Sequence, residues 1–177
     1  MPMFRIVLAV SFLIAISTIS TVSQAQQAEP TTGAFQKQTK FGVWSKNIFA
    51  DAVTVTGPAK TIYLAGMGSE DATSGTILYQ GDFPKQCRYA YAKIKKILAT
   101  QGATMADIVK VTTYVTDMRY GPDYTKCWAE VMSGMVLPAH TLVNISQLAW
   151  PGMMIEVDAT AVVAAKGSTR SDAGAGR

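Results

Sequence analysis

The side chains that could take part in chemistry are few in this sequence. The chain has one histidine, His140, and two cysteines, Cys87 and Cys127. None of these residues falls at a spacing typical of metal ligands, so a structural zinc site is not expected. Histidine is the side chain most often used as a general acid or base near neutral pH. The alternative interpretation of His140 is a strand histidine whose ring is satisfied by a backbone carbonyl.

A glutamate offers the second candidate group. Glu156 lies in an alternating stretch, Ile155-Glu156-Val157-Asp158, that is typical of a strand. A carboxylate beside a reacting group can accept a proton and return it. A glutamate on the solvent side of a strand needs no chemical role, so the residue alone leaves both interpretations open.

Two helices are predicted between the strands. The first begins at Asp82, a fair N-cap that is followed by Pro84 in the first turn, and it ends at Gly102. The second begins at 121–123 and ends at Gly134. Both helices carry apolar residues at helical spacing, which indicates that each buries one face.

β-Branched and aromatic residues predict the strands around these helices. The first two strands are joined by Gly57-Pro58 and are expected to form a hairpin. Long helices between the later strands imply right-handed crossovers and an α/β (α+β) fold, a mixed sheet with both helices packed on one face. The predicted strands are 53–57, 61–65, 77–79, 108–118, 139–146 and 153–163.

The two cysteines fall in the first turns of their predicted helices and on the apolar stripes. If the helices run parallel and side by side, Cys87 and Cys127 could form a disulfide. The alternative is two buried free thiols that behave as small hydrophobic residues. The sequence does not decide between the two.

The N-terminal segment is typical of a secretory signal peptide. A positive start ends at Arg5, an apolar run extends over 6–16, and Ser23-Gln24-Ala25 fits a cleavage site. We therefore expect cleavage after Ala25, removal of residues 1–25, and a periplasmic or secreted protein. An uncleaved N-terminal anchor is the alternative.

The remaining boundaries follow from composition. Residues 26–40 are predicted to be a linker and 166–177 a disordered tail, which leaves 41–165 as the folded domain. Hydrophobic residues make up 49% of the chain, as in other folded domains, and the net charge of +4 argues for neither nucleic acid nor lipid. Basic residues gather on the first helix and are interpreted as its solvated face: Lys85, Arg88, Lys93, Lys95 and Lys96.

Several segments, in order along the chain, resemble the Rid family of imine and enamine deaminases. The resemblance covers about 49–165 and is strongest over 102–118, where a helix-ending glycine precedes Asp-Ile-Val-Lys and Tyr-Val-Thr-Asp-Met. Two further segments, 137–141 and 155–160, are similar to the family's P-A-R-[ST] and [IV]-E-[IV]-E-A motifs. The resemblance implies a chorismate-mutase-like fold that assembles as a homotrimer, with small-molecule clefts between subunits. No cofactor and no metal is expected.

The resemblance also implies the site residues. In active members, the arginine of P-A-R-[ST] holds the substrate carboxylate, and a glutamate on the last strand positions the hydrolytic water. Glu156 matches that glutamate, whereas His140 occupies the arginine position, and both are predicted to be catalytic. The ligand-binding residues that the motifs imply are Phe49, Ala65, Gly66 and Thr141, of which Phe49 replaces a tyrosine and Ala65 a serine.

These departures change the expected substrate. Arginine offers two parallel donors and a permanent charge, whereas histidine is mostly uncharged at neutral pH and offers one donor. We expect a divergent enamine or imine deaminase that is not specialised for amino-acid-derived imines. His140 would be its acid, and its rate would fall as pH rises through the pKa of that ring.

Two other functions stay open. One is a trimer that binds a small metabolite without catalysis. The other is RNA cleavage, which is disfavoured because the sequence has no combined aromatic and basic platform for RNA. The expected partners are a small-molecule metabolite and further copies of the chain, with no nucleic acid and no membrane after signal removal.

Overall fold

The computed structural model of the chain describes residues 33–167, so the predicted signal peptide, the first part of the predicted linker and most of the predicted tail lie outside it. Within this range the element order is β, β, β, α, β, α, β, β. The elements are β1 (Gln36–Lys40), β2 (Ala52–Thr56), β3 (Ala59–Tyr63), α1 (Phe83–Thr100), β4 (Ile108–Val115), α2 (Gly121–Val131), β5 (Ala139–Asn144) and β6 (Ile155–Ala164).

Four of these strands form one mixed sheet in the order β3-β6-β4-β5. β6 runs antiparallel to both β3 and β4. β5 runs parallel to β4, because α2, which lies between them in the chain, carries the backbone back to the end of the sheet where β4 begins. The register places Val111 opposite His140 and Tyr114 opposite Glu156. The predicted mixed sheet is confirmed.

Both helices cover the same face of this sheet, as predicted. Alternate residues of β4 and β6 point toward the helices and are buried, and the residues between them lie on the other face. α1 begins where the Asp82 carboxylate accepts a hydrogen bond from the Lys85 backbone N–H, and Gly102 follows its end with φ +69°. The core between helices and sheet includes Tyr91, Ile94, Leu98, Val111, Val115, Ile155 and Val157.

A disulfide joins the two helices. The Cα atoms of Cys87 and Cys127 lie 6.5 Å apart, and both residues are fully buried. The bond links α1 directly to α2 within the hydrophobic core. Of the two alternatives that the sequence left open, the structure contains the disulfide.

The predicted hairpin of 53–57 and 61–65 is wrong. β2 pairs with β1 in a separate two-stranded sheet, whereas β3 pairs with β6 at the edge of the large sheet. The Gly57-Pro58 turn therefore joins strands of two different sheets. The linker predicted over 26–40 is also wrong in its last part, since Gln36–Lys40 forms β1. These polar residues show no alternation, and backbone pairing with β2 holds them in place.

Residues 77–79, predicted as a strand, do not form one, and part of their backbone is hydrogen-bonded by a side chain instead. Ile77 makes only an isolated bridge to Glu70. The fully buried Gln86 amide of α1 donates to the carbonyls of Leu78 at 3.2 Å and Gly152 at 2.8 Å. Its carbonyl oxygen accepts from the Met154 backbone N–H at 2.8 Å. A buried polar side chain thus satisfies backbone groups that a strand partner would otherwise satisfy.

Candidate active site

The sheet face turned away from the helices, here called the outer face, is polar. A groove of about 430 Å³ opens on it and is lined in part by Ala65, Lys110 and Asp158. Tyr63 at its edge is 82% exposed. A polar face with an open groove is a surface on which a small polar ligand could be held. The outer-face side chains are Tyr63, Lys110, Thr112, Tyr114, Glu156, Asp158 and Thr160.

Glu156 is the half-buried carboxylate of this face. It lies against the backbone of Gly66, where an added Cβ would sit 2.7 Å from the carboxylate carbon, so any side chain at this position would push the carboxylate out of place. Burial raises the pKa of Glu156, and the negative charges of Asp158 and Glu70 raise it further. A more basic carboxylate is better suited to take a proton from water.

An ion pair lies beside Glu156. Lys93 of α1 donates to the Glu70 carboxylate at 2.5 Å and to the Glu70 backbone carbonyl at 2.8 Å. The chain segment just before Glu70 is anchored to β6, because Met67 and Val157 exchange two backbone hydrogen bonds of 3.0 Å. The Lys93 charge opposes the rise in the pKa of Glu156. Lys93 therefore belongs to the electrostatics of this site, and only part of the basic helix face is solvated.

His140 lies on the other side of the sheet, among aromatic rings. Its Nε2 is 2.8 Å from the Tyr124 hydroxyl and 3.2 Å from the Thr113 hydroxyl, and its ring stacks on Trp128 with centroids 4.6 Å apart. Burial lowers the pKa of His140 to about 4, and the charge of Lys110 contributes. The imidazole is therefore neutral near pH 7. The acid role predicted for His140 over the neutral range does not fit this environment, since the imidazolium form that would give up the proton is hardly populated there.

Glu156 and His140 do not meet within one chain. Their β4 partners, Tyr114 and Val111, are three residues apart, so the two side chains lie on opposite faces of the sheet. The predicted site residues therefore form separate groups. Ala65 and Gly66 lie with Glu156, Phe49 lies near His140 with ring centroids 6.4 Å apart, and the exposed Thr141 accepts from Lys110 at 2.5 Å.

Several residues that shape these groups were not identified from the sequence. Tyr124 and Trp128 lie among the apolar residues of the second helix, yet their polar atoms bond to His140 and to the Ile48 carbonyl. Buried tyrosine and tryptophan usually need such a partner, which is the signal that could have found them. Within residues 33–167, no three His, Cys, Asp or Glu side chains gather as metal ligands, and no helix is long and apolar enough to cross a membrane.

The environment of His140 predicts how stability depends on pH. The folded ring resists protonation down to about pH 4, whereas the histidine of the unfolded chain binds a proton below 6.5. The unfolded state then binds more protons, so the free energy of unfolding should fall by about 3 kcal/mol as pH drops through this window. Urea denaturation at a series of pH values measures the slope.

The matched variant is His140→Phe, which keeps a ring against Trp128 but cannot titrate. Its unfolding free energy should depend less steeply on pH than that of the natural protein between about pH 4 and 6.5. Equal slopes for the two proteins would mean that folding does not lower the pKa of His140.

Comparison with known proteins relates this geometry to a family. Residues 45–163 match the model of the family described as Endoribonuclease L-PSP. A RutC family protein of Pyrococcus horikoshii is 33% identical over 100 residues, which cover 56% of this chain and 77% of the relative. The Rid family protein YyfB of Yersinia pestis is 28% identical with a TM-score of 0.59, and the match covers 65% of this chain and 86% of that one. RidA of an Antarctic Psychrobacter has the same fold, with a TM-score of 0.54 at 20% identity over 74% of this chain and 99% of that one.

Proposed function

This chain belongs to the Endoribonuclease L-PSP family, which includes the Rid and RutC proteins, and from that premise we propose that it hydrolyses small imines or enamines. The substrate would be one that carries no carboxylate next to the reacting carbon. The product would be a carbonyl compound, with ammonia as the leaving group. Two features support this proposal. One is the half-buried Glu156 carboxylate beside Gly66, and the other is the neutral ring of His140.

The single observation that carries the proposal is the position of Glu156. Its carboxylate is half-buried against Gly66, and burial with neighbouring carboxylates raises its pKa. In the proposed reaction Glu156 accepts a proton as water attacks the carbon of the C=N bond, and returns it to the nitrogen. The hydroxyl proton of the resulting carbinolamine then moves through Glu156 to nitrogen as the C–N bond breaks. Proton transfer of this kind contributes about 10²–10⁴-fold to a rate.

The neutral state of His140 supports a substrate without a carboxylate. An arginine at this position would hold a carboxylate through two charge-assisted hydrogen bonds. A neutral imidazole, already hydrogen-bonded to Tyr124, provides no positive charge for such a group. Burying an unpaired carboxylate beside it would be costly. We therefore assign His140 to the binding of substrate rather than to proton transfer.

We propose that the cleft forms between the subunits of a homotrimer. Within one chain, Glu156 and His140 lie on opposite faces of the sheet, so a cleft that contains both needs residues from two copies. The outer face could supply the contact with a second copy, since the large aromatic side chain of Tyr63 on this face is 82% exposed in the single chain. The resemblance to Rid proteins implies the same assembly.

We propose that the protein is periplasmic or secreted, with the signal peptide cleaved after Ala25 and no membrane attachment afterwards. The disulfide between Cys87 and Cys127 supports this location. Disulfides form and persist in oxidising compartments and are rare in the cytosol.

RNA is not the proposed substrate, although the family description names an endoribonuclease. The carboxylates of Glu156 and Asp158 lie on the outer face, and Glu70 lies close enough to Glu156 to raise its pKa. RNA-binding surfaces gain most of their affinity from cations that neutralise phosphates. A negatively charged site would repel the backbone, so no nucleic acid partner is proposed.

A trimer that binds a small metabolite without catalysis is the alternative function. The observation that favours it is that His140 is neutral and bonded to Tyr124 and Thr113, and so supplies no imidazolium as a general acid. Under this alternative Glu156 would bind a cationic or hydrogen-bond-donating group of the ligand.

The substrate class can be tested with a matched pair of imines. Oxidation of leucine by an amino acid oxidase and of 3-methylbutylamine by a flavin amine oxidase gives imines that share a side chain and differ by one carboxylate. The natural protein should accelerate ammonia release from the amine-derived imine and act weakly on the other. His140→Arg should raise kcat/KM for the leucine-derived imine about 10- to 100-fold, because it restores a charge-assisted clamp.

His140→Gln is the matched control, since it replaces the imidazole with a neutral side chain. It should leave the preference against the carboxylate in place. If His140→Gln gains as much as His140→Arg, the preference does not depend on charge at this position. If the natural protein prefers the leucine-derived imine, the proposed substrate class is wrong.

A further inference from the structure

Four aromatic rings, here called the aromatic cluster, meet at the edge of the sheet near β5: Trp44, Phe49, Trp128 and His140. Trp128 stacks on His140 at 4.6 Å, Phe49 lies 6.4 Å from His140, and Trp44 meets Phe49 edge to face at 5.7 Å and 72°. Trp128 is buried and belongs to the core, whereas Phe49 and His140 are half-buried. The cluster therefore runs without a break from the core to solvent.

Trp44 is the exposed end of the cluster. Its residue is 77% exposed, which is unusual for the largest apolar side chain, and folding alone gives no reason for it. Val43 beside it is also fully exposed. A large aromatic side chain held in water is a candidate contact for a ligand.

The segment that carries Trp44 is fastened on both sides. The Ser45 hydroxyl donates to Asp51 at 2.5 Å and accepts from the Gly42 backbone N–H at 3.1 Å. The Ile48 carbonyl accepts from the Trp128 indole at 2.9 Å. Because Ser45 is itself buried, these bonds are shielded and hold the segment in place. Trp44 and Phe49 are thus presented in a fixed relation, which lowers the entropic cost of binding.

The surroundings of the cluster favour an uncharged group. His140 is neutral, and its hydrogen bonds go to hydroxyl groups. Lys110 is the cation whose charge reaches His140, but its ammonium donates to Thr141 on the outer face, away from the cluster. No charged side chain belongs to the cluster itself.

We infer that the aromatic cluster binds a planar, uncharged aromatic group of the substrate, at the position where the family resemblance would place a carboxylate clamp. Aromatic rings prefer to pack offset-stacked or edge to face, so an exposed edge-to-face pair can take a third ring in either geometry. Trp44 and Phe49 are such a pair. The inference rests on the proposed function for its claim that the bound group belongs to a substrate, and it makes binding testable without turnover.

Phenylacetamide and phenylacetate are suitable probes, because they share a phenyl ring and differ in charge. Titration of the purified protein with each probe, followed by ligand-observed NMR, gives the two dissociation constants. The natural protein should bind phenylacetamide about tenfold more tightly than phenylacetate. Trp44→Ala should weaken phenylacetamide binding about five- to tenfold, the size expected for one aromatic pair.

Trp150→Ala is the matched control, because Trp150 is also an exposed tryptophan, in the turn before β6. It should leave the affinity for phenylacetamide unchanged. Sedimentation velocity on the same variants tests whether Trp44 instead contacts another copy of the chain. Unchanged affinity in Trp44→Ala, equal loss in both tryptophan variants, or a change of oligomeric state in Trp44→Ala would each overturn the inference.

The two levels of the proposal fail separately. If phenylacetamide is not bound but an aliphatic amine-derived imine is hydrolysed, the aromatic inference is wrong and the proposed function stands. If phenylacetamide is bound through Trp44 but no imine is hydrolysed, the cluster is a binding site and the hydrolase proposal is wrong.

Discussion

Glu156→Gln should lower kcat/KM for the imine of 3-methylbutylamine by about a hundredfold or more, because an amide cannot accept a proton from the attacking water. The substitution keeps the shape of the side chain against Gly66, where a larger change would alter packing. Steady-state measurement of ammonia release over a range of imine concentrations gives the value. Circular dichroism and thermal unfolding show whether the fold is kept.

Glu130→Gln is the control for this prediction. It makes the same chemical change in an exposed carboxylate of α2 that pairs with Arg88 on the helical side of the molecule. Its kcat/KM should equal that of the natural protein within about twofold, since exposed pairs contribute little to stability. A Glu156→Gln variant that stays as active as Glu130→Gln would remove Glu156 from the chemistry.

Loss of the disulfide is the second large effect. The bond closes a loop across 40 residues, and Cys87→Ala with Cys127→Ala should lower the free energy of unfolding by about 4 kcal/mol. Most of the effect is expected from the unfolded chain, which gains freedom when the loop is opened. Denaturant unfolding of the natural protein and the double variant measures the difference.

A reductant provides the internal control. Dithiothreitol should lower the free energy of unfolding of the natural protein by a similar amount. It should leave the free energy of unfolding of the double alanine variant unchanged. Alanine is used because a serine hydroxyl would be buried without a partner at these fully buried positions. A difference below about 1 kcal/mol would contradict the prediction, because it would show that the bond restricts the unfolded chain far less than a loop of this length should.

The central part of the fold could be predicted because its signals are strong and local. The helix that starts at Asp82 and the buried strand from Ile108 carry clear periodicity and capping residues, and both were placed correctly. The strand β1 gave no such signal, because Gln36–Lys40 is polar and depends on backbone pairing with β2. The hairpin was predicted wrongly for the same reason, since the partner of β2 lay in a segment without a pattern.

The candidate site was only partly predictable, because it depends on register. Family motifs identified Glu156 and His140, but neither motif specifies the register of its strand. A shift of one residue in strand pairing would move a side chain to the opposite face of the sheet. The neutral state of His140 depends on Tyr124 and Trp128, which α2 brings from elsewhere in the chain. Burial of this kind is a tertiary property, so the sequence favoured an unperturbed histidine.

The most direct test is ammonia release from freshly generated imine of 3-methylbutylamine, measured in parallel for the natural protein, Glu156→Gln and Glu130→Gln. Hydrolysis through Glu156 predicts acceleration over the uncatalysed reaction for the natural protein and Glu130→Gln, and almost none for Glu156→Gln. No acceleration by the natural protein, or equal acceleration by all three, would contradict it.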